Sequence, residues 1–226
     1  MAARLRGDSE ARAARCVVSP FPTLQSGESG YFPRVQIRNV LLLLLTMALG
    51  GCATRDRIHT ITVSVADQKM VVYRKGLPIA MYPVSTSKFG LGDRPGSRAT
   101  PLGRLEIAKK IGGGQPSGMK FRSRRPTGEI VPANAPGRDP IVSRILWLRG
   151  LEAQNRRAYS RTIYIHGTAE EWKIGHPASY GCVRMRSCDV IALYATVGVG
   201  AQVEITTAHI PETTLAAHVA PGSTPN

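Results

Sequence analysis

Residues 58–86 most constrain what this chain can fold into. Ile58–Val65 is rich in β-branched residues and alternates in character, Ala66-Asp67-Gln68 reads as a turn, and Lys69–Arg74 is a second apolar-rich run. Lys75-Gly76 turns the chain again, and Ile79–Ser85 makes a third run. Period-two patterning broken by such short turns predicts a meander of antiparallel strands rather than a helix. With 23 Gly, 16 Pro and only 6% aromatic residues, the composition also suits a loop-rich β domain better than a helical bundle.

Further strands are predicted at Arg104–Ala108, Ile145–Leu148, Thr162–Ile165 and Gln202–Ile205. Residues 86–103 read as loop, and 150–160 as a loop or short helix. The Gly-, Pro- and Arg-rich stretch 111–140 reads as a long surface loop or insertion, a common setting for lids and binding loops. One late helix is expected from Cys188 to about Val197, capped by Ser187, with Asp189 in its first turn and Gly198 and Gly200 ending it. The reading is a mainly β domain over 58–206, preceded by a linker at 52–57 and followed by a mobile tail at 207–226.

The run Val40–Leu49 is too short to span a bilayer as an ordinary helix. Arg34 and Arg38 precede it and Leu49-Gly50-Gly51-Cys52 follows, which together make a secretory signal. The Leu-Gly-Gly-Cys ending resembles the bacterial lipobox, and that resemblance implies cleavage before Cys52 and a lipid on its sulfur. Residues 1–51 are therefore expected to be a presequence. Because residues 1–33 precede the basic patch, the expected start lies later, at Val35 read from a GTG codon. The expected location is outside the cytoplasm, membrane-anchored, facing the periplasm or cell wall.

The formal net charge is +15, which favours polyanionic partners through long-range steering. The basic residues are scattered, apart from Lys109-Lys110 and the Lys120–Arg125 run, and no recognition helix or stacking sheet accompanies them, so nucleic acid is not an expected partner. The cysteines are Cys16, Cys52, Cys182 and Cys188, with no C-x-x-C pair, which argues against zinc-ribbon and thioredoxin chemistry. The spacings of His166, His176, Cys182 and Cys188 do not match common zinc ligand sets, so no metal is expected. A Cys182–Cys188 disulfide is not expected either, since proximity in sequence does not supply the short Cα distance a bridge needs.

The stretch Thr162–Asp189 carries the chemistry. It holds His166 after an apolar strand, then Gly181-Cys182, then Arg184. A thiol is a modest nucleophile and a thiolate a strong one, and a nearby imidazole can take its proton. Gly181 lets the backbone turn tightly and a substrate come close. Amides of Gly181 and Cys182 can face a developing oxyanion, and Arg184 offers a fork for a carboxylate or a brace for the turn. His176, beside Pro177 in a loop, reads as a surface residue.

His166-Gly167-Thr168, followed by Ser179-Tyr180-Gly181-Cys182-Val183-Arg184, resembles the signature of the YkuD-type L,D-transpeptidases, and Thr100-Pro101-Leu102-Gly103 resembles an upstream segment of the same family. Tyr180 departs from the pattern, since many members carry His there. The resemblance implies a compact β-sandwich or barrel-like fold. It implies Cys182 as nucleophile on peptidoglycan stem peptides, His166 as base oriented by a carbonyl near Gly167, and Gly181 and Cys182 as oxyanion donors. It further implies Ser179 supporting the loop, Tyr180 lining the cleft, Arg184 at the turn or on substrate, and no cofactor. An amine acceptor gives a cross-link and water gives a carboxypeptidase; relatives that join or cut a lipoprotein–murein bond, and a non-catalytic wall-binding lipoprotein, are the alternatives.

Overall fold

The opening runs fold as the alternation requires. β1 (His59–Ser64), β2 (Lys69–Arg74) and β3 (Leu77–Pro83) form an antiparallel meander, with Ile61 and Val63 of β1 and Met70 and Val72 of β2 turned into the core. The computed structural model describes residues 55–137, 139–211 and 214. The expected presequence, its apolar run and Cys52 lie outside the described residues.

After a loop come β4 (Gly103–Ile111), β5 (Met119–Arg122), β6 (Arg125–Ile130) and β7 (Ile141–Gly150). A short 3-10 turn at Ala153–Asn155 precedes β8 (Tyr164–Thr168), and another at Glu171–Lys173 precedes β9 (Val183–Met185). Helix α1 (Ser187–Thr196) and β10 (Gln202–Thr206) complete the domain. The ten strands form one mixed sheet ordered β3-β2-β1-β10-β4-β7, with β5 and β6 continuing along one edge of β7 and β8 then β9 along the other. Pairing is parallel between β1 and β10 and between β8 and β9, and antiparallel elsewhere.

The sheet closes on itself. Ser85, just past β3, exchanges main-chain hydrogen bonds with Arg184 of β9, at 2.9 Å in each direction. Closure removes the two edges that would otherwise expose unpaired main-chain groups beside the cysteine segment. The main core draws Leu105 and Ile107, Leu146 and Leu148, Ile165, Val183 and Met185, and Val203 and Ile205 from successive strands of this ring. Val190 and Leu193 of α1 pack into the same core.

Three expectations are corrected. The stretch 111–140 is not a structureless loop: it contains the β5–β6 hairpin. Its sequence hid the strands because every residue of β6 is exposed, so no alternation marks it. Its turn residues, Ser123 and Arg124, adopt positive φ (50° and 67°) without the Asn-Gly signature such turns favour. Ser187 does not cap α1: it is the first helical residue, and Glu171 Oε1 accepts its N–H at 2.8 Å. Residues 207–211 do not hang loose either, because Asp67 accepts the Ile210 N–H at 2.7 Å and Ile210 is buried.

Truncating a fully buried side chain of the ring should be costly. Leu146→Ala should lower unfolding free energy by about 2–5 kcal/mol, read from the urea midpoint at constant slope.

Candidate functional site

The site is built on the parallel pair β8–β9. Register aligns Ile165 with Val183 and His166 with Arg184. Because side chains alternate across a strand, Ile165 and Val183 enter the main core, while Tyr164, His166, Cys182 and Arg184 share the opposite face. On that face Cys182 borders a second apolar cluster made by Met119, Phe121, Ile145 and Tyr164. The β5–β6 hairpin thus supplies part of the wall around the thiol.

Two local irregularities aim His166. In β7 the register slips between Val142, opposite Gly167, and Ile145, opposite His166, so Ser143 and Arg144 bulge out of the ladder. Ser143 takes φ +67°, accepts the Gly118 N–H at 2.9 Å and donates to Ser187 Oγ at 2.9 Å, which pins the bulge to both neighbours. Gly167 is needed for space: a Cβ there would lie 2.6 Å from the Val142 carbonyl oxygen. The His166 ring is buried, and its Nδ1 lies 2.8 Å from the Gly167 carbonyl. A carbonyl only accepts, so Nδ1 carries the proton and Nε2 holds the lone pair.

The cysteine loop is held by three hydroxyls and one arginine. Ser179 Oγ donates to the Cys182 carbonyl at 2.5 Å and accepts the Gly181 N–H at 3.2 Å. Thr100 donates to the Gly181 carbonyl at 3.1 Å. Ser87 Oγ donates to the Arg98 carbonyl at 2.5 Å. Half-buried Arg161 grips the facing loop through Asp93 at 2.8 Å and the Ala99 carbonyl at 2.7 Å. Gly181 sits at φ +118°, and a Cβ would come within 3.2 Å of that same Ala99 oxygen, so both conformation and space call for glycine.

The thiol is only half-buried as a residue, yet its sulfur lies in dense protein. Tyr164 N–H donates to Sγ at 3.4 Å, and the thiol points to the Thr162 carbonyl at 3.5 Å. Burial pushes the Cys182 thiol up to about 11; the Tyr164 amide, Arg184 and Arg161 pull the other way and are outweighed. Burial likewise holds His166 below the ordinary imidazole range, and Arg184 adds to that, against the Gly167 carbonyl and Asp139. Both groups therefore rest neutral near pH 7. Among the described residues no hydrogen bond joins the Cys182 thiol to the His166 ring.

Arg184 is buried and its fork is already occupied, by Asp139 at 2.9 Å and Glu170 at 3.1 Å. Of its two expected uses, bracing the turn is the one the geometry displays. Asp139 also accepts the Thr168 hydroxyl at 2.5 Å and the Ala169 N–H at 3.1 Å, tying the end of β8 to the loop before β7. Asp139, Glu170, Arg161 and Ser143 are the site residues that sequence reading missed. Each acts through a partner far away in the chain, and no local motif flags such a pairing.

Tyr180 is 53% exposed and lies on a cleft of about 660 Å³, which Lys88, Arg98, Asp139, Glu170, Lys173 and Arg184 also line. His176 is exposed, as expected, and bonds through its main chain: its carbonyl accepts from Ser85 and its N–H donates to the Lys173 carbonyl. Cys182 and Cys188 are not disulfide-bonded to each other. Among the described residues no His, Cys, Asp and Glu side chains group as metal ligands, so the set His166, His176, Cys182 and Cys188 does not come together.

Half-buried Cys182, just ahead of β9, and neutral His166 on β8 thus share one face of the sheet behind a hydroxyl-braced glycine turn, and they form the candidate site. The chain belongs to the YkuD family: residues 58–205 match the L,D-transpeptidase catalytic domain. It is 30% identical over 163 residues to a probable L,D-transpeptidase, YbiS, of Escherichia coli K12, covering 70% of this chain and 48% of that protein. The chain thus spans about half the length of the curated relative it matches. Among solved structures, an L,D-transpeptidase from Xylanimonas cellulosilytica aligns with TM-score 0.44 and 15% identity over 68% of this chain and 62% of that one. One from Mycobacterium smegmatis aligns with TM-score 0.41 and 15% identity over 66% and 58%.

Two measurements check this geometry. Alkylation of Cys182 by iodoacetamide should be slow at neutral pH and rise until pH reaches about 11, followed by peptide mass spectrometry; a plateau already at pH 8 would contradict the desolvated thiol. Asp139→Asn should destabilise the fold by about 3 kcal/mol in urea titration, because it strips a buried guanidinium of one counter-charge.

Proposed function

We propose that the chain is a cysteine L,D-transpeptidase that acts on peptidoglycan stem peptides, with Cys182 as nucleophile and His166 as general base. The observation that carries this is the β8–β9 register, which sets Cys182 and His166 on one face while Gly167 commits Nδ1 and leaves Nε2 as the acceptor. Membership in the L,D-transpeptidase family supports the reaction class.

Sγ attacks the carbonyl carbon between the third and fourth residues of a stem, and its proton passes to His166 Nε2. The thiol's resting contacts with Tyr164 and Thr162 are long, so turning Sγ toward the imidazole forfeits little. The oxyanion is received by the amides of Cys182 and Gly181, the latter exchanging its 3.2 Å bond to Ser179 for the stronger charged acceptor. The imidazolium returns the proton to the leaving amine, D-alanine departs, and a thioester remains on Cys182. An amine of a neighbouring stem takes the acyl group and forms a cross-link. Ser179 and Thr100 hold the loop through this cycle, and Arg184 keeps β9 in register with the Ser85 segment.

The same reading places the protein outside the cytoplasm, facing the cell wall, with a lipid on Cys52 as its membrane anchor. The Leu-Gly-Gly-Cys sequence after a short apolar run supports that placement.

Incubating the protein with a disaccharide-tetrapeptide should release D-alanine and give a cross-linked dimer by mass spectrometry, and Cys182→Ala should give neither. Tripeptide alone would make it a carboxypeptidase, and no acyl-enzyme at all would overturn the stem-cleaving reaction. His166→Gln should slow acylation by roughly a hundred- to ten-thousand-fold. Acylation should hold steady through neutral pH and fall only in acid, on the acid side of the ordinary imidazole range, because burial lowers the pH at which the His166 ring gains a proton. The rate of acyl-enzyme formation against pH checks that sign.

A further inference from the structure

The cleft beside the cysteine loop has an unbalanced charge. Among its described lining residues are four cations, Lys88, Arg98, Lys173 and Arg184, and two carboxylates, Asp139 and Glu170. Both carboxylates are spent: Asp139 pairs with Arg184, while Glu170 divides its oxygens between Arg184 at 3.1 Å and Lys173 at 2.5 Å. Lys88 and Arg98 have no carboxylate partner among the described residues.

These two cations are nevertheless brought together. Lys88 Nζ lies 4.9 Å from the Tyr180 ring centre and 5.3 Å from that of Phe89. The Arg98 guanidinium lies 5.5 Å and 5.7 Å from the same two rings. Tyr180 and Phe89 are exposed and contact each other at 5.4 Å. Ring faces attract cations, but two like charges on one ring pair repel each other, and an anion between them reverses that balance. The arrangement is anchored to the cysteine loop by main chain: Lys88 N–H donates to the Ser179 carbonyl at 3.2 Å, and the Arg98 carbonyl accepts from Ser87. Arg98 also holds φ +56°, an unfavourable conformation for a residue with a long side chain. Strain kept beside a candidate site is a mark of positioning.

We propose that Lys88 and Arg98, set over the Phe89–Tyr180 ring pair, form a carboxylate subsite that fixes a free carboxylate of the peptide whose bond Cys182 attacks. This rests on the reaction assigned above and adds its specificity determinant: an acidic peptide, recognised by Lys88 and Arg98 beside Tyr180, two residues ahead of Cys182. Either the terminal carboxylate or a side-chain carboxylate of the peptide has the required chemistry.

Binding is measured first, on the full chain carrying Cys182→Ala, so that turnover does not enter. A stem tetrapeptide is titrated by calorimetry in three forms: both carboxylates free, the terminal one amidated, and the side-chain one amidated. One amidation should weaken binding about ten-fold, the loss of one charge-assisted contact, and it names the carboxylate concerned. Lys88→Gln with Arg98→Asn, the Asn chosen because it tolerates positive φ, should bind the free peptide about as weakly and be indifferent to amidation. Lys88→Arg should restore most of the affinity. Equal binding of all three peptides, or native affinity in the double variant, overturns the subsite. With Cys182 present, the double variant should raise KM about ten-fold and leave kcat within about two-fold. If the intact enzyme turns over no stem peptide while amidation still weakens binding, the assigned reaction fails and the subsite stands. If turnover is normal and the double variant matches it, the subsite alone fails.

Discussion

The parallel pairing of β8 with β9 is the contact on which the rest depends. One register aligns Ile165 with Val183 for the core and His166 with Arg184 for the opposite face. A one-residue slip would exchange the two faces, burying the imidazole in the main core and expelling Ile165. Parallel pairs need a crossover, and here the connection runs through the 3-10 turn at Glu171–Lys173 and the serine-braced loop before Cys182. Closure through Ser85 and Arg184 then protects β9, which is only three residues long, from acting as a frayed edge.

Charge is arranged around that strand pair in two ways. Near the backbone, Arg184, Asp139 and Glu170 form a buried cluster whose members satisfy each other and fix where β8, β9 and the preceding loop meet. Truncating a single member is costly, since it leaves a buried charge uncompensated. Toward the thiol, by contrast, the surroundings are apolar, with Met119, Phe121 and Ile145 close by. Cys182 and His166 are neutral because burial outweighs the neighbours that favour their charged forms.

Much of this was legible in the sequence. Alternation and turn residues marked the β1–β3 meander, and the single late helix was visible from the spacing of Val190, Leu193 and Tyr194. Cys182 and His166 stood out as candidates because glycine, thiol and imidazole at that spacing have few uses other than chemistry, and the fold brings both to one face. The β5–β6 hairpin was not legible, because β5 is only four residues long, β6 is exposed throughout and carries no period, and the turn between them lacks Asn-Gly. Nor was the brace of Arg184 by Asp139 and Glu170, since ion pairs are set by folded distance rather than by sequence pattern. The bulge at Ser143 belongs to the same class: nothing in Val142-Ser143-Arg144-Ile145 announces a positive φ. Cys52 and the segment ahead of it remain a matter of sequence, lying outside the described residues.

The long, weak hold on the Cys182 sulfur by Tyr164 and Thr162 has a consequence for durability. Thiolates attack peroxides and disulfides far faster than thiols do. A side chain that stays protonated until about pH 11 presents almost no thiolate at neutral pH. Sulfenic acid and mixed disulfides are therefore expected to form slowly on Cys182 at neutral pH. In the proposed reaction the sulfur turns nucleophilic only where the imidazole can take its proton, so resistance to oxidation comes at the expense of a poised thiolate.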